Sequence, residues 1–153
     1  MIRRVAAGDR EPLLAYFTDY SARFTALVDA TLAVHGRAVI LDVHSYPEHE
    51  LPYELHGGGF RAPLCVGSEP FHASAALLDA VAESFSDLEA RANTPFAGAY
   101  VPLKHHQTDA RVSSVMLEIR RDLYLTEATL EVKPAGFAAL QESLQALVDR
   151  LRS

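Results

Sequence analysis

Apolar residues recur at helical spacing near the start of the chain and again near its end. Six side chains, spaced three or four residues apart, form the first stripe: Leu13, Phe17, Tyr20, Phe24, Leu27 and Thr31. This spacing predicts a long amphipathic helix that is capped by Asp9 and ends at Gly36. A second helix is predicted to start at Pro134. Its apolar stripe consists of Phe137, Leu140, Leu144, Leu147, Val148 and Leu151.

The middle of the chain alternates apolar strand-like runs with one more helical pattern, at Ser74 to Phe85. Arg37 to Val43 has a β-branched apolar centre, which predicts a strand buried on both faces and ended by His44 to Pro47. Three further strands are predicted at Pro63 to Gly67, Ala99 to Val101 and Val112 to Ile119. Alternating helices and strands favour an α/β fold, a three-layer sandwich in which helices flank a mixed sheet. Residues 1–153 are expected to form a single domain.

A long irregular segment, Glu48 to Arg61, interrupts this alternation. It contains Pro52 and three consecutive glycines, Gly57 to Gly59. Loops of this length are uncommon inside a domain unless they serve a function. We therefore predict a functional loop.

Composition excludes several classes of protein. The chain is 49% hydrophobic and 22% charged, which is too apolar for intrinsic disorder. A net charge of -6, without a basic run, argues against nucleic acid as a partner. No apolar run approaches the ~20 residues of a membrane span, and no signal peptide is recognisable, so a cytoplasmic protein without a membrane partner is expected. The single cysteine, Cys65, lies in an apolar stretch and is interpreted as a buried small residue.

Asp42 and His44 stand where a buried strand ends. Residues two apart on a strand point to the same face, so these two side chains would lie together. Ligands of open α/β sheets bind beyond the carboxyl ends of the strands. Two interpretations stay open: a ligand or metal site, or a structural aspartate beside a histidine whose hydrogen bonds are satisfied.

Glu118 is the second unusual residue, since it interrupts an apolar strand. On that strand, even-numbered Ser114 to Arg120 and odd-numbered Val115 to Ile119 occupy opposite faces. A desolvated glutamate can accept a proton from water. The alternative is a structural salt bridge to one of three arginines: Arg111, Arg120 or Arg121.

Arg111 and three histidines complete the set of candidate residues. The Arg111 guanidinium could bind a substrate carboxylate in bidentate fashion, or could be a solvated loop side chain. His72, His105 and His106 are further candidates in loops. Because adjacent side chains on an extended chain point in opposite directions, only one of His105 and His106 would face a site.

Four segments with these residues resemble one family. They occur in this order: LDVHSYP (Leu41 to Pro47), LCVGSEPFH (Leu64 to His72), NTPFAGAYVP (Asn93 to Pro102) and DARVSSVMLEIRRDLYL (Asp109 to Leu125). Together they resemble the N-formylglutamate amidohydrolases, over roughly Leu13 to Leu151. That family is similar in fold to zinc carboxypeptidases and to the succinylglutamate desuccinylase and aspartoacylase group.

The resemblance implies a zinc-dependent hydrolysis of N-formylglutamate, or a similar N-acyl amino acid, to formate and glutamate. It implies that His44 is a zinc ligand and that Glu118 activates the zinc-bound water. It also places Arg111, Asn93 and Tyr100 near a small-molecule substrate. A carboxypeptidase or another deacylase stays open as an alternative, as does an inactive homologue that serves as a binding module.

Family members carry an N-terminal motif of the PHSG kind, followed by an acidic residue, and these supply two zinc ligands. Nothing before His44 matches them. The chain is therefore expected to correspond to the C-terminal part of such an enzyme. A sheet edge exposed in this way would favour a homo-oligomer.

Overall fold

The computed structural model describes residues 6–52, 54 and 59–152, and its helices form two layers on either side of a sheet. The helices are α1 (Ala7–His35), α2 (Ala75–Ser84) and α3 (Pro134–Arg152). The strands are β1 (Ala38–Tyr46), β2 (Leu64–Gly67), β3 (Ala90–Ala92), β4 (Val112–Arg120), β5 (Leu125–Thr126) and β6 (Glu131–Val132). A short 3-10 helix, Arg121–Leu123, follows β4.

Four of the strands form one mixed sheet, in the order β1-β4-β2-β3. β1 is parallel to β4, β2 is antiparallel to β4, and β3 is parallel to β2. β5 and β6 form a separate antiparallel pair. The expected α/β fold, with a mixed sheet flanked by helices, is confirmed.

One face of the sheet, which we call the α2/α3 face, holds the larger core. The odd-numbered residues of β4 point to this face and pack against α2 and α3. Ten buried side chains form the cluster: Leu64, Val66, Leu77, Val81, Phe85, Val115, Leu117, Ile119, Leu140 and Leu147. Burying each leucine contributes about 1.5–3 kcal/mol, so this core fixes the position of β4.

The opposite face, which we call the site face, is covered only in part. Val28 and Leu32 of α1 pack on Ala38 and Ile40, at the start of β1. Farther along the strand, β1 carries polar side chains on the same face. The apolar packing therefore ends where the candidate chemistry begins.

α1 begins earlier than expected and extends beyond the sheet. Its N-cap residue is Ala6, which makes no side-chain cap hydrogen bond, and Asp9 lies in the first turn. The prediction that Asp9 caps this helix is wrong. Gly36 does end it, in the left-handed conformation at φ 70°, and its N–H donates to Leu32 O. None of the described helices has the length and apolarity to cross a bilayer.

Several strand predictions need correction. β1 continues through His44 to Tyr46, and Val43 and His44 are exposed because β1 is at the sheet edge. Ala99 to Val101 is not a strand, whereas the short β3, β5 and β6 have no strong apolar pattern and were not expected. The predicted loop at Glu48 to Arg61 is irregular wherever it is described. Residues 53 and 55–58, including two of its glycines, lie outside the described residues.

Candidate functional site

His44 and Glu118 are paired positions on two neighbouring parallel strands. The β1–β4 register sets His44 opposite Glu118 and Asp42 opposite Met116. Paired residues of adjacent strands lie about 4.8 Å apart and point to the same face. The side chains of His44 and Glu118 therefore both project from the site face, next to Asp42. His44 Nε2 and Asp42 Oδ1 are 2.8 Å apart and hydrogen bonded.

The Glu118 carboxyl group lies in an environment that disfavours its charge. Within the described residues, its Oε2 is buried and has no hydrogen-bond partner. Desolvation raises the pKa of Glu118 above its usual value, and Asp42 raises it further, whereas His44, Arg121 and Arg61 oppose the shift. None of the described arginines forms an ion pair with Glu118, so the structural salt bridge considered above is not formed.

Tyr46, Phe96 and Cys65 lie next to the His44–Glu118 pair. Tyr46 is 2% exposed and packs edge-to-face with Phe96, at 5.5 Å between ring centroids. The Tyr46 hydroxyl donates to Ala62 O, and burial raises its pKa to about 12. Cys65, the register partner of Glu118 on β2, is buried and donates to Phe96 O at 3.2 Å. The expectation that Cys65 is a buried small residue is confirmed.

Two arginines near Glu118 were not singled out as functional from the sequence. Arg61 lies 4.8 Å over the Tyr46 ring and forms an ion pair with Glu54 at 2.7 Å. Arg121 donates to Ser45 O at 3.1 Å and to Ser45 Oγ at 3.2 Å. Arg61 lies in an irregular loop, where no sequence period indicates its position. Arg121 was considered only as a salt-bridge partner.

Arg111 is not brought to the His44–Glu118 pair. It precedes β4, whereas Glu118 lies near the end of that strand, and seven residues of strand span about 23 Å. Its guanidinium binds both carboxylate oxygens of Asp109, at 2.9 and 2.7 Å. This contact holds the pKa of Asp109 well below its usual range.

Asn93 and Tyr100 belong to a loop that crosses the site face. The Asn93 side chain accepts from the N–H groups of Ser68 and Gly98, at 2.9 and 3.0 Å. Tyr100 packs edge-to-face on Phe24. Both residues thus hold in place the loop that carries Phe96.

The three loop histidines are engaged elsewhere. His72 is 2% exposed; its Nδ1 lies 2.7 Å from Val112 O, and its Nε2 accepts from Gln107 N–H at 2.9 Å. Since Nε2 accepts, Nδ1 carries the proton, and the ring bridges two backbone segments.

His105 and His106 lie in a turn and not on an extended segment as expected, since both of their N–H groups donate to Pro102 O. Their side chains have different partners. His105 Nε2 lies 2.9 Å from Asp29 Oδ1, whereas His106 Nε2 lies 3.1 Å from Glu69 Oε2. His105 is buried between Asp29 and Asp109.

One chain does not assemble a full zinc site from its described residues. A catalytic zinc normally has three protein ligands and an open position. In the described ranges, no group of three or more His, Cys, Asp or Glu side chains could hold a metal ion. Asp42 and His44 offer two donors that already bind one another. A zinc ion at His44 would need further donors from outside these ranges.

Comparison with known proteins identifies the fold and the family. The family model for N-formylglutamate amidohydrolase matches residues 3–125. An N-formylglutamate amidohydrolase from Ralstonia eutropha JMP134 superposes with a TM-score of 0.71 at 22% identity, over 95% of this chain. A gene product of Agrobacterium tumefaciens superposes with a TM-score of 0.51 at 21% identity, also over 95% of this chain. A comparison with curated proteins gave no match.

The match covers only part of each solved relative. This chain spans 54% of the Ralstonia protein and 56% of the Agrobacterium protein, or about half of each. At these identities the superpositions establish the fold. The family match, which includes Asp42, His44 and Glu118, establishes the relationship.

Proposed function

This chain belongs to the N-formylglutamate amidohydrolase family, and on that premise we propose that it takes part in hydrolysing the amide bond of N-formylglutamate or a similar N-acyl amino acid. The products would be formate and glutamate. The observation that carries this proposal is the pairing of His44 with Glu118 on one face of the sheet. Metal-assisted amide hydrolysis needs a general base next to the metal ion that polarises the amide carbonyl. In this pairing Glu118 would be the base, and His44 would be a ligand of the metal ion.

Glu118 is the general base of the proposed reaction. It would accept a proton from the attacking water and deliver it to the nitrogen as the carbon–nitrogen bond breaks. A base works best when its pKa is close to the working pH, and desolvation moves the Glu118 pKa in that direction. Its buried Oε2 makes no hydrogen bond within the described residues, so its acceptor capacity is unused.

His44 is proposed as one ligand of a zinc ion, with zinc as the cofactor. The family match supports this role, and so does the exposure of its side chain, which is 49% accessible. The Asp42 carboxylate orients the ring, as carboxylates commonly do for metal-binding histidines. The remaining ligands would have to come from outside the described residues, so this chain is assigned the imidazole alone.

Arg121 is proposed to bind the carboxylate of the substrate. It is close enough to Glu118 to lower its pKa, whereas Arg111 is held by Asp109 about 23 Å farther along the strand. Asn93 and Tyr100 would contribute to substrate binding indirectly, because they anchor the loop that lies next to the site.

A binding module without catalysis is the second candidate function. The incomplete donor set within the described residues favours it. Such a protein would bind N-formylglutamate but release no formate. A deacylase for another N-acyl amino acid would instead turn over the N-acetyl or N-succinyl compound faster.

Formate release from N-formylglutamate, N-acetylglutamate and N-succinylglutamate, with and without added Zn²⁺, tests the proposal. We expect zinc-dependent turnover that is fastest with the N-formyl substrate. Glu118→Gln should lower kcat about 10²–10⁴-fold, which is the usual contribution of a general base. Glu142→Gln, an exposed change on α3, is the matched control and should leave kcat unchanged.

Zinc content and calorimetric binding separate the alternatives. Loss of bound zinc in His44→Ala would support the ligand assignment. Binding of N-formylglutamate without turnover at any zinc concentration would overturn the hydrolase proposal in favour of a binding module.

A further inference from the structure

Arg61 and Glu54 form an ion pair that is largely withdrawn from solvent. Arg61 Nη1 lies 2.7 Å from Glu54 Oε2, and Arg61 Nη2 lies 3.4 Å from Glu54 Oε1. Their side chains are only 10% and 12% exposed. The Arg61 guanidinium holds the pKa of Glu54 below its usual value, so this side chain is a carboxylate at neutral pH. The pair therefore shows which chemical group the Arg61 position binds, namely the carboxylate of a glutamate side chain.

The two partners are held in place differently. Arg61 Nε and Nη2 also donate to Pro47 O, at 3.0 and 2.9 Å, and the guanidinium lies 4.8 Å over the Tyr46 ring. These contacts orient Arg61 without Glu54. The Glu54 carboxylate accepts, besides, the N–H of Leu51 at 3.0 Å, and Glu54 N–H donates to Leu51 O in the same turn. That contact positions Glu54 within its own loop and does not fix it to the sheet. Glu54 is therefore the replaceable partner.

Arg61 lies on the site face, close to the proposed base. Tyr46 is two residues after His44 on β1, so both side chains point to the same face and their Cα atoms are about 6.6 Å apart. The Arg61 charge also acts on Glu118, where it opposes the rise in pKa that desolvation causes. In an extended N-formylglutamate, the formyl carbon and the side-chain carboxyl carbon are about 6 Å apart. A substrate that reacts next to Glu118 is therefore long enough to reach Arg61.

N-formylglutamate carries a second carboxylate besides the one assigned to Arg121. We propose that Arg61 is the subsite for the side-chain carboxylate of the substrate, and that Glu54 occupies this subsite until the substrate displaces it. Glu54 is thus an internal competitor of the substrate. This inference rests on the proposed function, since it assigns another group of the same substrate. It also narrows the substrate class to N-acyl amino acids with an acidic side chain.

The low exposure of the pair explains this selectivity. A neutral side chain that displaced Glu54 would leave the Arg61 guanidinium without a counter-charge in a place largely closed to water, which is costly. An acidic side chain exchanges one carboxylate for another and keeps the charges balanced. The preference for an acidic substrate therefore depends on Arg61, whereas competition with Glu54 lowers the affinity.

Calorimetric titration with N-formylglutamate and N-formylglutamine tests the subsite, because these compounds match in length and differ in charge. The wild type should bind N-formylglutamate about 10–100-fold more tightly, which is the usual effect of a hydrogen bond to a charged group. Arg61→Gln should remove this preference by weakening N-formylglutamate binding, with the Kd of N-formylglutamine nearly unchanged. Arg61→Lys keeps the charge and should retain part of the preference. Arg150→Gln is the matched control, since it breaks the Arg150–Glu83 pair between α2 and α3 and should leave the preference intact.

Glu54→Gln separates competition from a structural role. Removing the competing charge should tighten N-formylglutamate binding roughly 3–10-fold, since a larger fraction of the protein is then ready to bind. An ion pair that served only the stability of the loop would give no tightening. If Arg61→Gln does not fold, because it leaves Glu54 without a counter-charge, the double change Glu54→Gln with Arg61→Gln removes both charges and replaces it in the titration.

Several outcomes would overturn the subsite. They are an equal loss of affinity for both compounds in Arg61→Gln, a preference for N-formylglutamate that survives this change, and unchanged or weaker binding in Glu54→Gln. None of these measurements depends on turnover. A protein that discriminates the two compounds through Arg61 but releases no formate would retain the subsite and refute hydrolysis. Formate release without such discrimination would refute the subsite and retain hydrolysis.

Discussion

His44 and Glu118 face each other across the β1–β4 ladder, so an exposed imidazole and a half-buried carboxyl group share one face of the sheet. Their environments differ because β4 is an interior strand, whereas β1 is at the edge. The interior position desolvates Glu118 and raises its pKa, while the edge leaves His44 accessible. Glu118 on β4 is therefore suited to accept a proton, whereas His44 on β1 is accessible to a ligand.

The raised pKa of Glu118 predicts a specific dependence of stability on pH. The folded state holds this proton more tightly than the unfolded chain, whose value is near 4.5. The contribution of Glu118 to stability is therefore greatest below pH 4.5 and is lost as the pH rises through the higher folded value. Glu118→Gln removes this loss. Urea denaturation between pH 4.5 and 8 should show the variant gaining on the wild type as the pH rises.

The exposed Glu142 provides the comparison for this pH series. Glu142→Gln should show a constant difference from the wild type across the same range. A constant difference for Glu118→Gln as well would show that Glu118 is solvated like an ordinary surface carboxyl group.

Substrate binding should distinguish Arg121 from Arg111. Arg121→Ala should weaken N-formylglutamate binding about 10–100-fold, since a hydrogen bond to a charged group contributes roughly 1.5–3 kcal/mol. Arg121→Lys should recover part of this loss because it keeps the charge. Arg111→Ala should leave the Kd unchanged. Calorimetric titration of the three variants measures the Kd. A loss of affinity confined to Arg111→Ala would show that Arg111, and not Arg121, binds the substrate carboxylate.

His72 is predicted to act in stability and not in metal binding. Its ring accepts from Gln107 N–H and lies against Val112 O, so His72→Ala would leave two buried backbone groups unpaired and a cavity. We expect a loss of about 3 kcal/mol in the free energy of unfolding. His49→Ala, at an exposed position, should change it by less than about 0.5 kcal/mol. Weaker zinc binding by folded His72→Ala would contradict this assignment.

Much of the fold could be predicted because its long elements have strong periods. The helix stripe that starts at Pro134 and the alternation within β4 both survive in the structure. β3, whose three residues are all exposed, has no period to detect, and only its pairing with β2 makes it a strand. Asp9 was predicted to cap the first helix, but the helix begins at Ala7. Its N-cap residue, Ala6, makes no side-chain hydrogen bond, so the sequence carries no signal for this start.

The candidate site was predictable only where chain neighbours also lie close in space. Asp42 and His44 are two residues apart on one strand, so their proximity follows from the sequence. The proximity of His44 to Glu118 depends on the register of a parallel pair, which local sequence does not define. Arg61 is held near the site by its contacts with Pro47 and Tyr46. It lies in a loop without periodic hydrophobic positions, so the sequence does not indicate where its side chain lies.

Gly67 should tolerate no side chain, because the loop that carries Phe96 crosses directly over it. A Cβ atom at this position would collide with Gly98 O and with the Met116 side chain. Gly67→Ala must therefore shift the loop away from the sheet, at a cost of about 1–3 kcal/mol, or a Tm lower by roughly 3–10 °C. Gly59→Ala is the control, since nothing lies within 4 Å of its Cβ position.

The shift should also be visible at the site. Cys65 donates to Phe96 O and is buried, so moving the loop should expose its thiol. Faster reaction of Gly67→Ala with a thiol reagent, under conditions where the protein is fully folded, would show that the loop has moved. A lower Tm with unchanged Cys65 reactivity would instead locate the strain at Met116. In that case the sheet, and not the loop, would give way.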